Sequence, residues 1–229
     1  MKLGNSIITA SFVSRPNRFT VLAKHDGKTL LCYFPNPGRL KELLKPNASV
    51  ALNHCPSPTR KTNHDLVAIS TGRRWVSIDS RIPNKIVKEA LRDGNLQEFR
   101  SYLEVIPESV LGNSRIDFLL KSKERRCLLE VKSCTLVSNG VAIFPDAPTT
   151  RGRRHLLDLI RAKRAGFRSC VMFVIQRSDA SEFTPNRATD PEFAEALGLA
   201  KDNGVEIQAR RCNVRNFHIS LGERVPVRL

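Results

Sequence analysis

The sequence predicts a mixed α/β protein in two parts, a small five-stranded β-barrel over residues 1–81 and a larger α/β domain over residues 82–229. Three observations carry this reading. Short apolar runs of period two, separated by turn residues, fill the first third of the chain. Helical periodicity begins only after Arg81-Ile82-Pro83, and from there strands and helices are interspersed. The charge also divides at this point: of the net +16 over 229 residues, +9 lies in the first 81 and +7 in the rest.

In the first part, Arg18–Lys24 carries Phe19, Val21 and Ala23 at period two, and Asp26-Gly27 turns the chain into a returning strand, Lys28–Phe34. Ala48–Asn53, His64–Ser70 and Arg73–Asp79 follow, punctuated by Pro, Asn, Ser and Gly. Five short strands with turns between them fit an OB-fold-like barrel, and the pattern leaves an SH3-like barrel open. In the second part, Asn84 is placed as the cap of a helix from Lys85 to about Asp93, ended by Gly94. Strands are expected at Arg115–Leu120, Arg126–Val131, Val141–Phe144, Cys170–Ile175 and Val205–Ala209. One helix intervenes from about Arg153 to Ala165, and another runs from the Asp190-Pro191 cap to Gly204.

The chemistry centres on the hairpin Ser114–Leu120 and Arg126–Lys132. A turn centred between Lys123 and Glu124 makes opposed residue numbers sum to 247, which sets Asp117 opposite Glu130. Directly opposed side chains share a face, with Cβ atoms about 4.5–5.5 Å apart. Period two then brings Lys132 to that face. Two adjacent carboxylates repel unless a cation lies between them, and oxygen ligands suit a hard divalent ion, Mg²⁺ or Mn²⁺. A lysine beside them can orient water or stabilise charge on a phosphate. Asp…Glu-x-Lys is the hallmark of PD-(D/E)XK phosphodiesterases. A solvated Glu130–Lys132 surface pair is the plain alternative, opposed by the apolar flanks Ile116, Phe118, Leu128, Leu129 and Val131.

A third acid is sought on the preceding helix, where Glu89 flanks the apolar stripe, or after the next strand, at Asp146. Gln176 ends the strand Val171–Ile175 and is a candidate to reach phosphate or water. Arg151, Arg154, Arg161 and Arg164 belong to a strongly basic segment, with Arg154, Arg161, Arg164 and Arg168 at helical spacing. In the barrel, Arg60-Lys61 and Arg73-Arg74 supply cations, the latter beside the sole tryptophan, Trp75. Cations with aromatics hold single strands on such barrels, while Trp75 is equally readable as core.

The charge, with a sequence pI of about 10.2, favours a polyanionic partner, nucleic acid ahead of lipid. No apolar run approaches the roughly 18 residues a membrane span needs. The start, Met1 to Ala10, is too broken for a signal-peptide core, so a cytoplasmic, soluble chain is expected. Six cysteines form no Cys-x-x-Cys, which excludes zinc-finger spacing, and Cys32, Cys127 and Cys170 read as buried thiols.

These motifs resemble the sugar fermentation stimulation protein A (SfsA) family. The carriers in the first part are Arg15–Phe19, Phe34-Pro35-Asn36-Pro37-Gly38-Arg39-Leu40 and Glu42-Leu43-Leu44. In the second they are Pro83-Asn84, Glu89-Ala90-Leu91, Ser114–Leu120, Glu130-Val131-Lys132, Phe144–Ala147, Thr150–Gly152, His155-Leu156 and Phe173–Arg177. The resemblance implies an OB-fold followed by a PD-(D/E)XK nuclease-like domain, and DNA binding, with Arg18 and Arg39 inside the first motifs. It maps the acidic site onto Asp117, Glu130 and Lys132, with Glu89 as the helix acid, and the Val131 carbonyl completes the metal set. The expected function is a Mg²⁺- or Mn²⁺-dependent nuclease acting on DNA, or on RNA. The alternatives are a non-catalytic DNA-binding regulator of sugar (maltose) metabolism and an RNA-handling factor. A homodimer that builds the nucleic-acid channel is left open.

Overall fold

The computed structural model describes residues 1–111 and 114–229. The first part contains β1 (Ile7–Asn17), β2 (Thr20–His25), β3 (Lys28–Tyr33), β4 (Ser49–His54), β5 (His64–Ser70) and β6 (Trp75–Ser77). Their order is β3-β2-β1-β4-β5-β6, and a β3–β5 pairing at Tyr33 and Asp65 closes the first five into a barrel. The barrel thus has the predicted strand number with different membership. β1, with Ala10 and Phe12 turned inward between β2 and β4, is a strand that the sequence reading left unassigned. The run placed at Arg73–Asp79 yields only the short β6, which extends β5. Val21, Cys32, Phe34, Val50, Leu52, Leu66 and Ile69 fill the interior.

The second part starts at α1 (Ile82–Arg92), followed by β7 (Glu104–Leu111), β8 (Ser114–Lys121) and β9 (Arg126–Cys134). Then come β10 (Val137–Ser138), β11 (Val141–Phe144), α2 (Thr150–Arg164), β12 (Arg168–Ile175), β13 (Glu182–Pro185), α3 (Pro191–Asp202), β14 (Glu206–Arg215) and β15 (His218–Val225). One six-stranded sheet, β15-β14-β12-β9-β8-β7, forms the centre. β7, β8 and β9 make an antiparallel meander, and β12 and β14 add in parallel. A helix, a three-stranded meander, a second helix and a parallel strand make up the mixed α/β arrangement expected of this part. β7, β10, β13 and β15 are additional to the predicted strands.

The sheet separates two apolar interiors. Ile86, Val87 and Ala90 of α1 pack on one face, together with Leu129 and Val131 of β9 and Met172 and Val174 of β12. Leu156, Leu159 and Ile160 of α2 pack on the other with Phe193 and Leu197 of α3. Each fully buried side chain of this size contributes about 1.5–3 kcal/mol. Cys32, Cys127 and Cys170 are buried free thiols, and burial raises the first two to about 12.

Two helix starts matter for the site. Asn84 is not the cap of α1. The helix begins at Ile82 with Pro83 in its first turn, and Asp79 accepts the Arg81 amide at 2.8 Å just ahead of it. Asn84 therefore lies inside the first turn, with its side chain available for other work. In α2, Thr149 is the cap, its hydroxyl accepting the Gly152 amide at 3.0 Å.

Candidate active site

The paired register of β8 and β9 runs from Lys121↔Arg126 to Phe118↔Leu129, every pair obeying the sum of 247. Beyond it the ladder gives way to side chains. Asp117 Oδ2 accepts the Val131 amide at 2.8 Å, and Glu130 Oε2 faces the Asp117 amide at 3.4 Å. Each carboxylate takes up a backbone N–H of the opposing strand, so two acids are set at the point where the strands part. Lys132 Nζ donates to Glu130 Oε1 at 2.6 Å, which brings the third member of the expected triad to the same place.

Two helices supply the surrounding donors. From α1, Asn84 Nδ2 donates to Asp117 Oδ1 at 2.7 Å. From α2, the His155 ring, 2% exposed, meets Glu130 Oε1 through Nδ1. Arg151, one helical turn earlier, donates from Nε to His155 Nε2 at 3.3 Å. Neither Asn84 nor His155 was singled out as a site residue by the sequence reading. The signal that could have found them was their place in the motifs that carry the family resemblance, Pro83-Asn84 and His155-Leu156.

The two carboxyls are driven apart electrostatically. Burial, and then the Glu130 charge, push Asp117 above the usual carboxylate range, against the bonds from Val131 and Asn84. Burial pushes Glu130 up as well, but the Lys132 ammonium and His155 outweigh it and hold this carboxyl below its usual range. Both line a cleft of ≈ 390 Å³ together with Asn84, Lys132, Arg18 and Arg151. One wall is the barrel loop Asn36-Pro37-Gly38, held in place by Asp146, whose Oδ2 accepts the Arg39 and Leu40 amides at 2.8 and 3.2 Å.

A hard divalent cation fits this donor set. Two repelling carboxylates converge on one open cleft, and Glu130 Oε2 carries only the long bond to the Asp117 amide. Among the described residues no group of three or more His, Cys, Asp and Glu side chains is gathered for a metal. Further ligands would be backbone oxygen and water, as is ordinary for Mg²⁺.

Several expected residues lie elsewhere. Glu89 is not at the cleft. It is half-exposed, 3.9 Å from the Met1 amine, because five residues along α1 turn it about 140° from Asn84. Gln176 is fully buried and does not face the cleft. Its amide spans the junction of the two parts, accepting from Ser77 Oγ and donating to Ser133 Oγ, both at 3.0 Å. Trp75 packs edge-on against Phe217, 5.1 Å between ring centres, and serves as core.

Of the proposed nucleic-acid contacts, Arg18 and Arg151 border the cleft. Arg39, Lys61, Arg73, Arg74 and Arg154 are exposed. Arg60 is committed to Asp65 and lies over Tyr33. The basic stripe is broken: Arg161 pairs with Asp158, Arg164 donates to Asn203, and Arg168 belongs to β12 and grips Glu206. Among the described residues no helix is long and apolar enough to cross a membrane.

Comparison with known proteins agrees with this architecture. The family model described as "Sugar fermentation stimulation protein RE domain" matches residues 81–217, and "SfsA N-terminal OB domain" matches residues 13–78. A sugar fermentation stimulation protein homolog of Clostridium perfringens is 43% identical over 228 residues, covering 99% of both chains. One of Moorella thermoacetica is 43% identical over 231 residues, covering 100% of both. The structure of Pyrococcus furiosus SfsA in complex with Ca²⁺ matches with a TM-score of 0.91 at 28% identity, covering 100% of each chain.

Proposed function

Because the chain belongs to the sugar fermentation stimulation protein (SfsA) family, we propose that its cleft is the site of a divalent-metal-dependent nucleic-acid phosphodiesterase, with DNA as the favoured substrate. The observation that carries the reading is the convergence of Asp117, Glu130 and Lys132 where β8 and β9 part. The Ca²⁺ complex of the Pyrococcus relative supports divalent-metal use. Mg²⁺ or Mn²⁺ is the working ion we assign.

Asp117, Glu130 and the Val131 carbonyl would hold the cation. A bound cation supplies charge neutralisation at the phosphate and a more acidic water. Lys132, fixed on Glu130, orients the attacking water and hydrogen-bonds to the phosphate oxygens. The water oxygen bonds to phosphorus as the P–O bond to the leaving strand breaks; the attacking water gives its proton to solvent and the leaving oxygen takes one from solvent. Arg18 and Arg151 engage neighbouring phosphates at the rim and set the strand in register, while the exposed cations of the barrel raise local affinity without reading sequence. Glu89 and Gln176 have no part in this scheme.

The deciding experiment incubates purified protein with single-stranded DNA, duplex DNA and RNA, with Mg²⁺, with Mn²⁺, and with chelator. Cleavage that needs metal and is lost in Asp117→Asn and Lys132→Met is expected. A second reading, a non-catalytic DNA-binding regulator, draws on the close Lys132–Glu130 pairing, which leaves the ammonium engaged before any substrate arrives. Salt-sensitive binding with no cleavage of any substrate would establish that reading and refute the enzyme.

A further inference from the structure

We propose that His155 is the positioning residue for Glu130, and that Arg151, donating to the other ring nitrogen, supports the ring tautomer this requires. The inference rests on the phosphodiesterase reading of the same cleft and adds a role to two residues of α2.

Glu130 Oε1 receives both Lys132 Nζ and the His155 Nδ1 contact, while Oε2 faces the Asp117 amide. A carboxylate can rotate about its last bond. Two donors converging on one oxygen stop that rotation and leave the other oxygen turned toward Asp117. The two donors differ in what holds them. Lys132 reaches over a flexible stem, and its proposed task draws it toward substrate. His155 is a short, planar side chain, buried in a helix whose Leu156 and Leu159 are themselves fully buried. It is the donor that stays when Lys132 moves.

The direction of the bond follows from the other end of the ring. Arg151 Nε can only donate, so His155 Nε2 accepts from it at 3.3 Å. The proton is then on Nδ1, where it points at Glu130. This is the less common neutral tautomer; the Glu130 carboxylate, which can only accept, demands it, and Arg151 at the other nitrogen is compatible with no other neutral form. Asn84 performs the equivalent task for Asp117, donating to Oδ1 at 2.7 Å, so each carboxylate has one orienting donor from a helix, α1 for Asp117 and α2 for Glu130. Such partners of metal-binding carboxylates typically alter metal affinity by 10- to 100-fold when removed.

The test has two parts. Long-range ¹H–¹⁵N correlation of the histidine rings reads the tautomer of His155 in the wild-type protein without metal or substrate. An Nδ1–H ring is expected, in the wild type and in Arg151→Ala alike, because Glu130 still faces Nδ1. An Nε2–H ring in the wild type would overturn the proposal. Mn²⁺ titration by calorimetry then compares His155→Asn, whose amide nitrogen occupies the Nδ1 position, with His155→Leu, which has no donor. His155→Asn is expected to stay within about threefold of wild type and His155→Leu to weaken binding at least tenfold. Equal affinity of His155→Leu and wild type, with both melting alike, would also overturn it. Failure of the wild type to bind Mn²⁺ would refute the metal-dependent reading instead, and the tautomer would then decide the positioning of Glu130.

Discussion

Replacing Gln176 tests whether it is a tether or a catalytic group. Its side chain is fully buried and makes two hydrogen bonds at 3.0 Å, to Ser77 of the barrel and Ser133 of β9. Two neutral hydrogen bonds are worth about 1 kcal/mol each, so Gln176→Met, which keeps the volume, should cost about 2 kcal/mol. Gln176→Ala adds a cavity, bringing the total to about 3–4 kcal/mol. For a chain of this size that corresponds to a melting temperature lower by about 10 °C. Urea and thermal melts measure the loss, and cleavage or nucleic-acid affinity of the folded variant measures the rest. Specific activity within about twofold of wild type is expected. A variant with wild-type stability and a hundredfold loss of activity would refute the assignment and return Gln176 to the reacting groups.

Other perturbations follow the same geometry. Glu89→Ala should change stability by no more than about 0.5 kcal/mol and leave Mn²⁺ affinity unaltered, since its carboxylate is half-exposed beside the Met1 amine; calorimetry checks both. Asp146→Ala removes the acceptor of the Arg39 and Leu40 amides, and should cost about 2 kcal/mol and speed tryptic cleavage after Arg39. Glu206 and Asp179 are held below the usual carboxylate range by their bonds to Arg168 and Arg177. Their contribution to stability is therefore complete above the unfolded carboxylate pKa of about 4, and is lost as pH falls through the lower folded values. The urea midpoint should drop across that window, and Glu206→Gln should flatten the drop.

The central pair of the site was legible because it is local. A hairpin with a defined turn centre has a single register, and register arithmetic placed Asp117 opposite Glu130 and Lys132 beside them. What failed depended on helix phase or on long-range contacts. Starting α1 at Ile82 instead of Lys85 puts Asn84 inside the first turn and rotates the Glu89 reading out of the cleft. His155 meets Glu130 25 residues away, and Gln176 meets Ser77 99 residues away, so neither partner is encoded in the local pattern. The barrel was recognised by its turns and strand count. β1 was passed over: its first residues, up to Ala10, were weighed only as a leader, although Ala10 and Phe12 carry the strand alternation.

The junction of the two parts also determines how the molecule can move. Ala51, Val67 and Ala68 of the barrel belong to the same apolar cluster as Ile86, Leu129 and Val174 of the second part. A hinge needs a surface that can slide or separate, and here the surface is interior, bordered by the Gln176 and Asp146 hydrogen bonds. The molecule is a die rather than a jaw. Prying the halves apart would expose shared core, so calorimetry should record one endotherm instead of two.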